Sequence, residues 1–277
     1  MILVSNPPSE PAVAATEPVP LTLRRPARAA VLAYHELSSE TSGYRYELSC
    51  RQLEEHLQLI AQLRRQPAGG GPLVFSFDDG HISNYTHALP LLEKYSCKAV
   101  FFVIVGRIGE QKDYMTWTHL KELVSLGHQV QSHSWSHKFL TRCSDCDLRE
   151  ELVRSRETIE NRLGASAHAL SAPHGRWDRR VLRACANAGY RRLYTSDPWS
   201  SSLGTLPVRV IGRLVMVQSM DATHLLDWLT MGRAEAGVCR SRYVLKRSAQ
   251  RVLGNKLYYR LWARFSGWDG PEDTELD

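Results

Sequence analysis

The sequence predicts an α/β fold in which parallel strands close into a barrel, and three observations carry that prediction. Short apolar runs alternate with helical stripes along most of the chain. The runs are rich in Val, Ile, Phe and Leu and lack a polar alternation, as expected of strands buried on both faces. The chain has 277 residues with 43% hydrophobic side chains, enough for one sizeable core; about seven strand–helix units fit that length better as a closed barrel than as an open sheet. Polar residues also collect where the runs end: Asp78 and Asp79, His133, the Pro173-His174-Gly175 turn and Asp197. In a (β/α) barrel those C-terminal ends share one face, where active sites lie.

The elements follow in order. Residues 1–28 are rich in Pro, Ala and Glu without periodicity, so a disordered arm is expected and the ordered domain should begin at Ala29. Strands are expected over 30–35, 74–79, 98–105, 129–134, 168–172, 191–196 and 208–217, the last with a bend at Gly212. Leu53, Leu57, Ile60 and Leu63 line one helix. Leu148, Leu152, Ile159 and Leu163 line another, opened by Ser144 as N-cap and closed by Gly164. A third runs over 178–188 and is closed by Gly189.

Composition excludes several classes. No stretch approaches the ~20 apolar residues of a membrane-spanning helix. The N-terminal residues lack a basic start, and Pro7, Pro8, Pro11 and Pro18 break any apolar run, so no signal peptide is read and a cytoplasmic location is expected. Cys50, Cys97, Cys185 and Cys239 stand at irregular spacings, unlike a disulfide framework, and Cys143-Ser-Asp-Cys146 reads as a loop feeding a helix. The net charge is +6, yet eight basic and no acidic residues lie within 240–264. The rest of the chain is therefore close to neutral, which argues against nucleic-acid binding by the domain. Residues 240–268 form a basic amphipathic pattern within a C-terminal helical segment, 233–268. It is expected either to pack on the barrel with its basic face in water or to make peripheral contact with the inner face of a membrane. Residues 269–277 form an acidic tail.

The chemistry sits in two motifs. Phe75-Ser-Phe-Asp78-Asp79-Gly80 places two carboxylates at the end of a buried strand, with Gly80 freeing the backbone to turn. One can ligate a metal while the other acts as base. His133-Ser-Trp-Ser-His137 offers two imidazoles at i and i+4, which on a helical turn face the same way and can grip one ion. An Asp and two His leave coordination positions open, as a hydrolytic metal site requires.

These residues resemble the polysaccharide deacetylase family, the NodB-homology domain, and the opening Val31-Leu-Ala-Tyr34-His35 resembles its exopolysaccharide-type branch. Ser76 to Gly80 matches the family's first motif and His133 to His137 its second, in the right order, with the likeness covering residues 29–232. The resemblance implies a distorted (β/α)7 barrel and a metal-dependent hydrolase that removes N-acetyl groups from a polysaccharide, an oligosaccharide or a glycolipid-linked sugar. It makes Asp78 the base that activates the metal-bound water, and Asp79, His133 and His137 the ligands of one divalent ion, zinc by preference. The third motif departs: Ser171-Ala-Pro173-His174-Gly175 has Ser171 where the family has an Arg that orients the base. The backbone of His174 still matches the oxyanion donor, and its side chain is read as a catalytic acid or a substrate contact. Pro173, Trp199, His81 and His35 are the candidate substrate-binding residues. The family's last motif, an apolar run ending in His-Asp, is not convincingly matched; His224 lies near its place in a helical pattern. Two alternatives share the site: a hydrolase of another C–N bond, such as a cyclic ureide, or a catalytically weak glycan-binding barrel.

Overall fold

A computed structural model describes residues 30–40, 43–65, 73–199, 208–232, 234–242, 244–245 and 248. The expected arm, most of the basic segment and the acidic tail lie outside the described residues.

Eight strands form one sheet with every pairing parallel. They are β1 (Ala30–Tyr34), β4 (Leu73–Phe77), β5 (Ala99–Val103), β6 (Gln129–Ser132), β7 (Ala169–Ser171), β8 (Arg192–Thr195), β9 (Arg209–Gly212) and β10 (Leu214–Val215). The order is β10-β1-β4-β5-β6-β7-β8-β9, so the two edges of the sheet are consecutive pieces of chain. The strand expected over 208–217 is thus split. Its first half pairs with β8, its second half with β1, and the residue between them is Arg213. The barrel is nearly closed, and chain continuity spans the seam. A separate pair, β2 (Glu36–Ser38) with β3 (Glu47–Ser49), lies beside it and was not expected.

Helices α1 (Cys50–Arg64), α2 (Leu89–Lys94), α3 (Trp117–Ser125), α4 (Asp145–Leu163) and α5 (Arg179–Asn187) lie in the crossovers, and α6 (Ala222–Thr230) follows the last strand. Three were legible from their apolar stripes or caps, two of them with their stops. Ser144 caps α4, which ends on a left-handed Gly164, and Asp178 caps α5. Among the described residues no helix is long and apolar enough to cross a membrane. All six cysteines are free.

Both faces of the strands are buried, but by different partners. Tyr34, Phe77 and Phe101 stack between the sheet and the helices, with centroids 5.3 and 5.1 Å apart. Each such buried side chain contributes about 1.5–3 kcal/mol. The alternate positions, Val31, Val100, Phe102, Ala169 and Tyr194, form a second, smaller cluster. By the same two-residue alternation Ser76, Ser171 and Arg213 share its face, and Arg213 lies over the Phe102 ring at 5.4 Å.

Candidate active site

Asp78 continues the line of β4, its N–H donating to the Tyr34 carbonyl at 2.9 Å. At Asp79 the backbone turns left-handed (φ 71°), and Gly80 follows at φ 82°. A Cβ on Gly80 would come within 3.1 Å of Val103 and Ile108, so glycine is required for space as well as for φ. This reversal lets neighbouring residues serve one site although a strand would send them to opposite faces.

His133 ends β6, its N–H bonded to the Val103 carbonyl at 2.8 Å. The expected helical turn to His137 is not there. The segment is irregular, with Ser134 and His137 both left-handed at φ 64° and 65°. Side chains replace the missing helix bonds: Ser134 Oγ accepts from the His137 N–H at 3.1 Å, and buried Glu151 of α4 accepts from the N–H groups of Trp135 and Ser136 at 3.0 and 2.9 Å and from the Ser136 hydroxyl. Asp79, Ser134, His137 and His174 are four of the five non-glycine residues with positive φ among the described residues. Such backbones cost of order 1–3 kcal/mol each and persist where surroundings hold them.

The result brings Asp79, His133 and His137 together. Asp79 Oδ1 lies 3.4 Å from His133 Nε2 and 3.5 Å from His137 Nε2. That oxygen is buried and has no hydrogen-bond partner, which is costly for a carboxylate. Ligands at zinc-like bond lengths in tetrahedral array stand roughly 3.3–3.5 Å apart, so the donor set fits one small divalent cation. His133 Nδ1 bonds the Ser171 carbonyl at 2.9 Å as a donor, which leaves Nε2 as the nitrogen on the Asp79 side and the one available to a metal. Burial and the neighbouring His133 push His137 down to about 3, so it stands neutral at pH 7. Burial opposes charge on His133, but Asp78 and Asp79 outweigh it and raise its pKa. Burial likewise opposes ionisation of Asp79, and His133, His35 and His137 reverse it, holding the carboxyl well below the usual range.

Asp78 is held otherwise. Arg213 forms a two-pronged pair with it: Nη1 to Oδ1 and Nη2 to Oδ2, each 2.6 Å. Arg213 also donates to Ser171 Oγ at 2.8 Å, Ser76 Oγ at 3.2 Å and the Thr195 carbonyl at 3.3 Å, and is 1% exposed. Ser171 Oγ donates onward to Asp78 Oδ2 at 3.1 Å. The position where the resemblance leads one to expect an arginine thus carries a serine that bridges to an arginine from the barrel seam. Burial would raise the Asp78 carboxyl; Arg213 and His133 overcome it and lower it to about 2.

The other sequence candidates fall around this centre. His174 rests against His137 at 4.5 Å between ring centroids and stacks on Phe139 at 3.9 Å; its Nε2 is 3.2 Å from the His137 carbonyl, and burial lowers its pKa. Pro173 is buried at the start of the same turn, where a Cβ on Gly175 would strike Ser196 at 2.6 Å. His35 has a buried Nδ1 without a partner and a positive influence on both aspartates. His81 bonds Ser83 Oγ through Nδ1 at 2.8 Å. Trp199 is half-buried in the turn after β8, bonded to Asp197 Oδ1, and none of these contacts reaches it. His224 is exposed on α6 and bonded to Asp221. Arg213 and Glu151 are the residues that sequence reading missed. The available signal was a charge inside an apolar strand, and a glutamate on the inward stripe of a helix, since such groups are buried only when paired.

Replacing Glu151 with Ala strips two backbone N–H groups of their acceptor. Metal affinity is expected to fall roughly 10–100-fold, the usual effect of removing a group that orients a ligand. Competition with a chelator measures it, and an unchanged dissociation constant would show that the His137 loop holds itself.

Residues 65–193 match the family model for polysaccharide deacetylase. The chain is 27% identical to YxkH of Bacillus subtilis over 194 residues, which is 64% of this chain and 68% of that one. It is 28% identical to the chitooligosaccharide deacetylase of Sinorhizobium fredii over 151 residues, 53% and 68% of the two chains. Among solved structures it resembles Streptococcus pyogenes deacetylase PplD in complex with acetate, with TM-score 0.65 and 22% identity over 74% of this chain and 98% of that one. It also resembles IcaB from Ammonifex degensii, with TM-score 0.62 and 23% identity over 73% and 97%. At these identities the structures speak to the fold, and they match the nearly closed parallel barrel.

Proposed function

Because the chain belongs to the polysaccharide deacetylase family, we propose that it is a metal-dependent N-deacetylase of a carbohydrate of the exopolysaccharide type, with zinc as the ion. The reaction class is hydrolysis of a carbon–nitrogen bond other than a peptide bond. The observation that carries the metal is the Asp79 carboxylate oxygen, buried without a donor and faced by two imidazole nitrogens.

In this reading Asp79, His133 and His137 hold the ion. When bound it supplies Lewis acidity, polarising the acetyl carbonyl and lowering the pKa of water. Asp78 stays ionised across the working pH range and takes the proton from the attacking water on its carboxylate. Ser171 and Arg213 fix the direction of that carboxylate through its two oxygens. The His174 backbone N–H supports the oxyanion. His174 and His35 are the imidazoles assigned to protonation of the departing amine and to substrate contact, and Pro173 shapes the turn that carries His174. The products are a free amine and acetate.

The purified chain should hold about one divalent ion and release acetate from N-acetylhexosamine oligosaccharides. Asp79→Asn, which keeps the backbone type suited to a left-handed turn, should lose both. Full activity after exhaustive chelation would sink the metal; a metal-loaded chain that releases acetate from no N-acetylated sugar would move the reading to another C–N bond.

A further inference from the structure

Three histidines around the triad each touch an aromatic ring, and each ring carries an arginine. His35 lies 5.1 Å from Tyr46, over which sits Arg45 at 5.7 Å. His81 meets Tyr114 nearly edge-on at 6.3 Å, with Arg107 over that ring at 5.2 Å. His174 stacks on Phe139, which carries Arg142 at 4.9 Å and Arg176 at 5.7 Å. In each group an imidazole meets an aromatic ring that also carries a guanidinium.

Arg107 has no carboxylate partner among the described residues. It is half-buried in the single turn that follows β5 directly, donates to the Tyr114 hydroxyl, and exerts its charge on His137. By contrast Arg51, Arg154, Arg156, Arg180 and Arg213 each form an ion pair. Burial raises the Tyr114 phenol and Arg107 draws it down, while Asp79 and Glu36 act on it at longer range. Asp79 is committed to the triad, and Glu36 forms no pair with Arg107. A guanidinium held on an aromatic face, with planar donors and no carboxylate, contributes little to stability and is well suited to receive an anion.

We propose that the substrate is an anionic N-acetylated glycan, with a phosphate or carboxylate beside the acetamido sugar, and that Arg107 receives that anion. This rests on the deacetylase reading and adds the substrate class to it. A neutral glycan would leave Arg107 without a counter-charge.

The test uses the full chain loaded with zinc and three probes: chitotetraose (neutral), a hyaluronan tetrasaccharide (carboxylate) and N-acetylglucosamine 1-phosphate (phosphate). Binding is measured by calorimetry and acetate release on the same three in parallel. At least one anionic probe is expected to bind roughly tenfold tighter than chitotetraose, about 1.4 kcal/mol, with the margin shrinking as salt rises. Arg107→Gln should remove that margin and Arg107→Lys should keep part of it; which anionic arm wins identifies the group. Chitotetraose binding as tightly as both anions, or a margin that survives Arg107→Gln, overturns the proposal. A margin without acetate from any probe leaves the anion site standing and fails the deacetylase reading. Acetate from chitotetraose with no anionic margin fails this inference alone.

Discussion

Arg213→Met should destabilise the fold by about 3–5 kcal/mol and remove most of the activity. Asp78 and Arg213 are both almost fully buried, at 2% and 1% exposure. Truncating one partner of a buried pair leaves an uncompensated charge, and that cost exceeds what the pair itself contributes. The sign with pH follows from the lowered Asp78 carboxyl. Its stabilising contribution is fully present above the unfolded value, about 3.9, and is lost as pH falls through about 2. Without Arg213, burial acts on Asp78 against the weaker help of His133, His35 and the Ser171 hydroxyl, so the carboxyl takes up a proton at higher pH. The acid limb of kcat/KM should therefore move upward in Arg213→Met. Urea unfolding gives the stability and a pH–rate profile gives the limb; a variant that unfolds like the parent and keeps its limb would show that the guanidinium is dispensable.

Asp78→Asn should lower the rate by about 10²–10⁴, the usual range for removing a general base, while the chain still binds its metal. The substitution keeps shape and volume and leaves Asp79, His133 and His137 untouched. It also leaves Arg213 without a counter-ion, so stability falls too. The double variant Asp78→Asn/Arg213→Met should regain part of that stability without regaining activity, because two neutral groups avoid the buried charge that either single variant strands. Metal content together with acetate release decides the case. Loss of metal in Asp78→Asn would make Asp78 a ligand rather than a base.

The fold was largely legible because its signals are local. Apolar runs mark β4 and β5 to within a residue or two, and Ser144 and Gly164 bracket α4 through their own backbone chemistry. The short strands β2 and β3 were not legible: three residues each, with the burial of a single leucine apiece, carry no periodicity. The metal triad was visible as residue types at strand ends, though for a partly mistaken reason, since His137 reaches the site by a left-handed turn and not by a helical one. Arg213 was hidden because nothing near it in sequence announces Asp78, 135 residues away. The bend anticipated at Gly212 and a charge inside an apolar strand were the local hints. Glu151 was hidden in the same way, as a helix residue whose partners lie on the preceding loop.

The left-handed residues at the site have a consequence for how such a site can change over generations. At Asp79, Ser134, His137 and His174 the main chain sets its own requirement before any chemistry is asked of the side chain. Glycine, asparagine, aspartate and, less readily, other short polar residues can be sampled there; β-branched residues are filtered out by the backbone alone. Drift at these four positions is therefore confined largely to glycine and short polar side chains, several of which can bind metal or hydrogen-bond a sugar. A lineage that lost the original activity would keep a turn-bound, largely polar site at the strand ends, ready to be recruited to a different ligand.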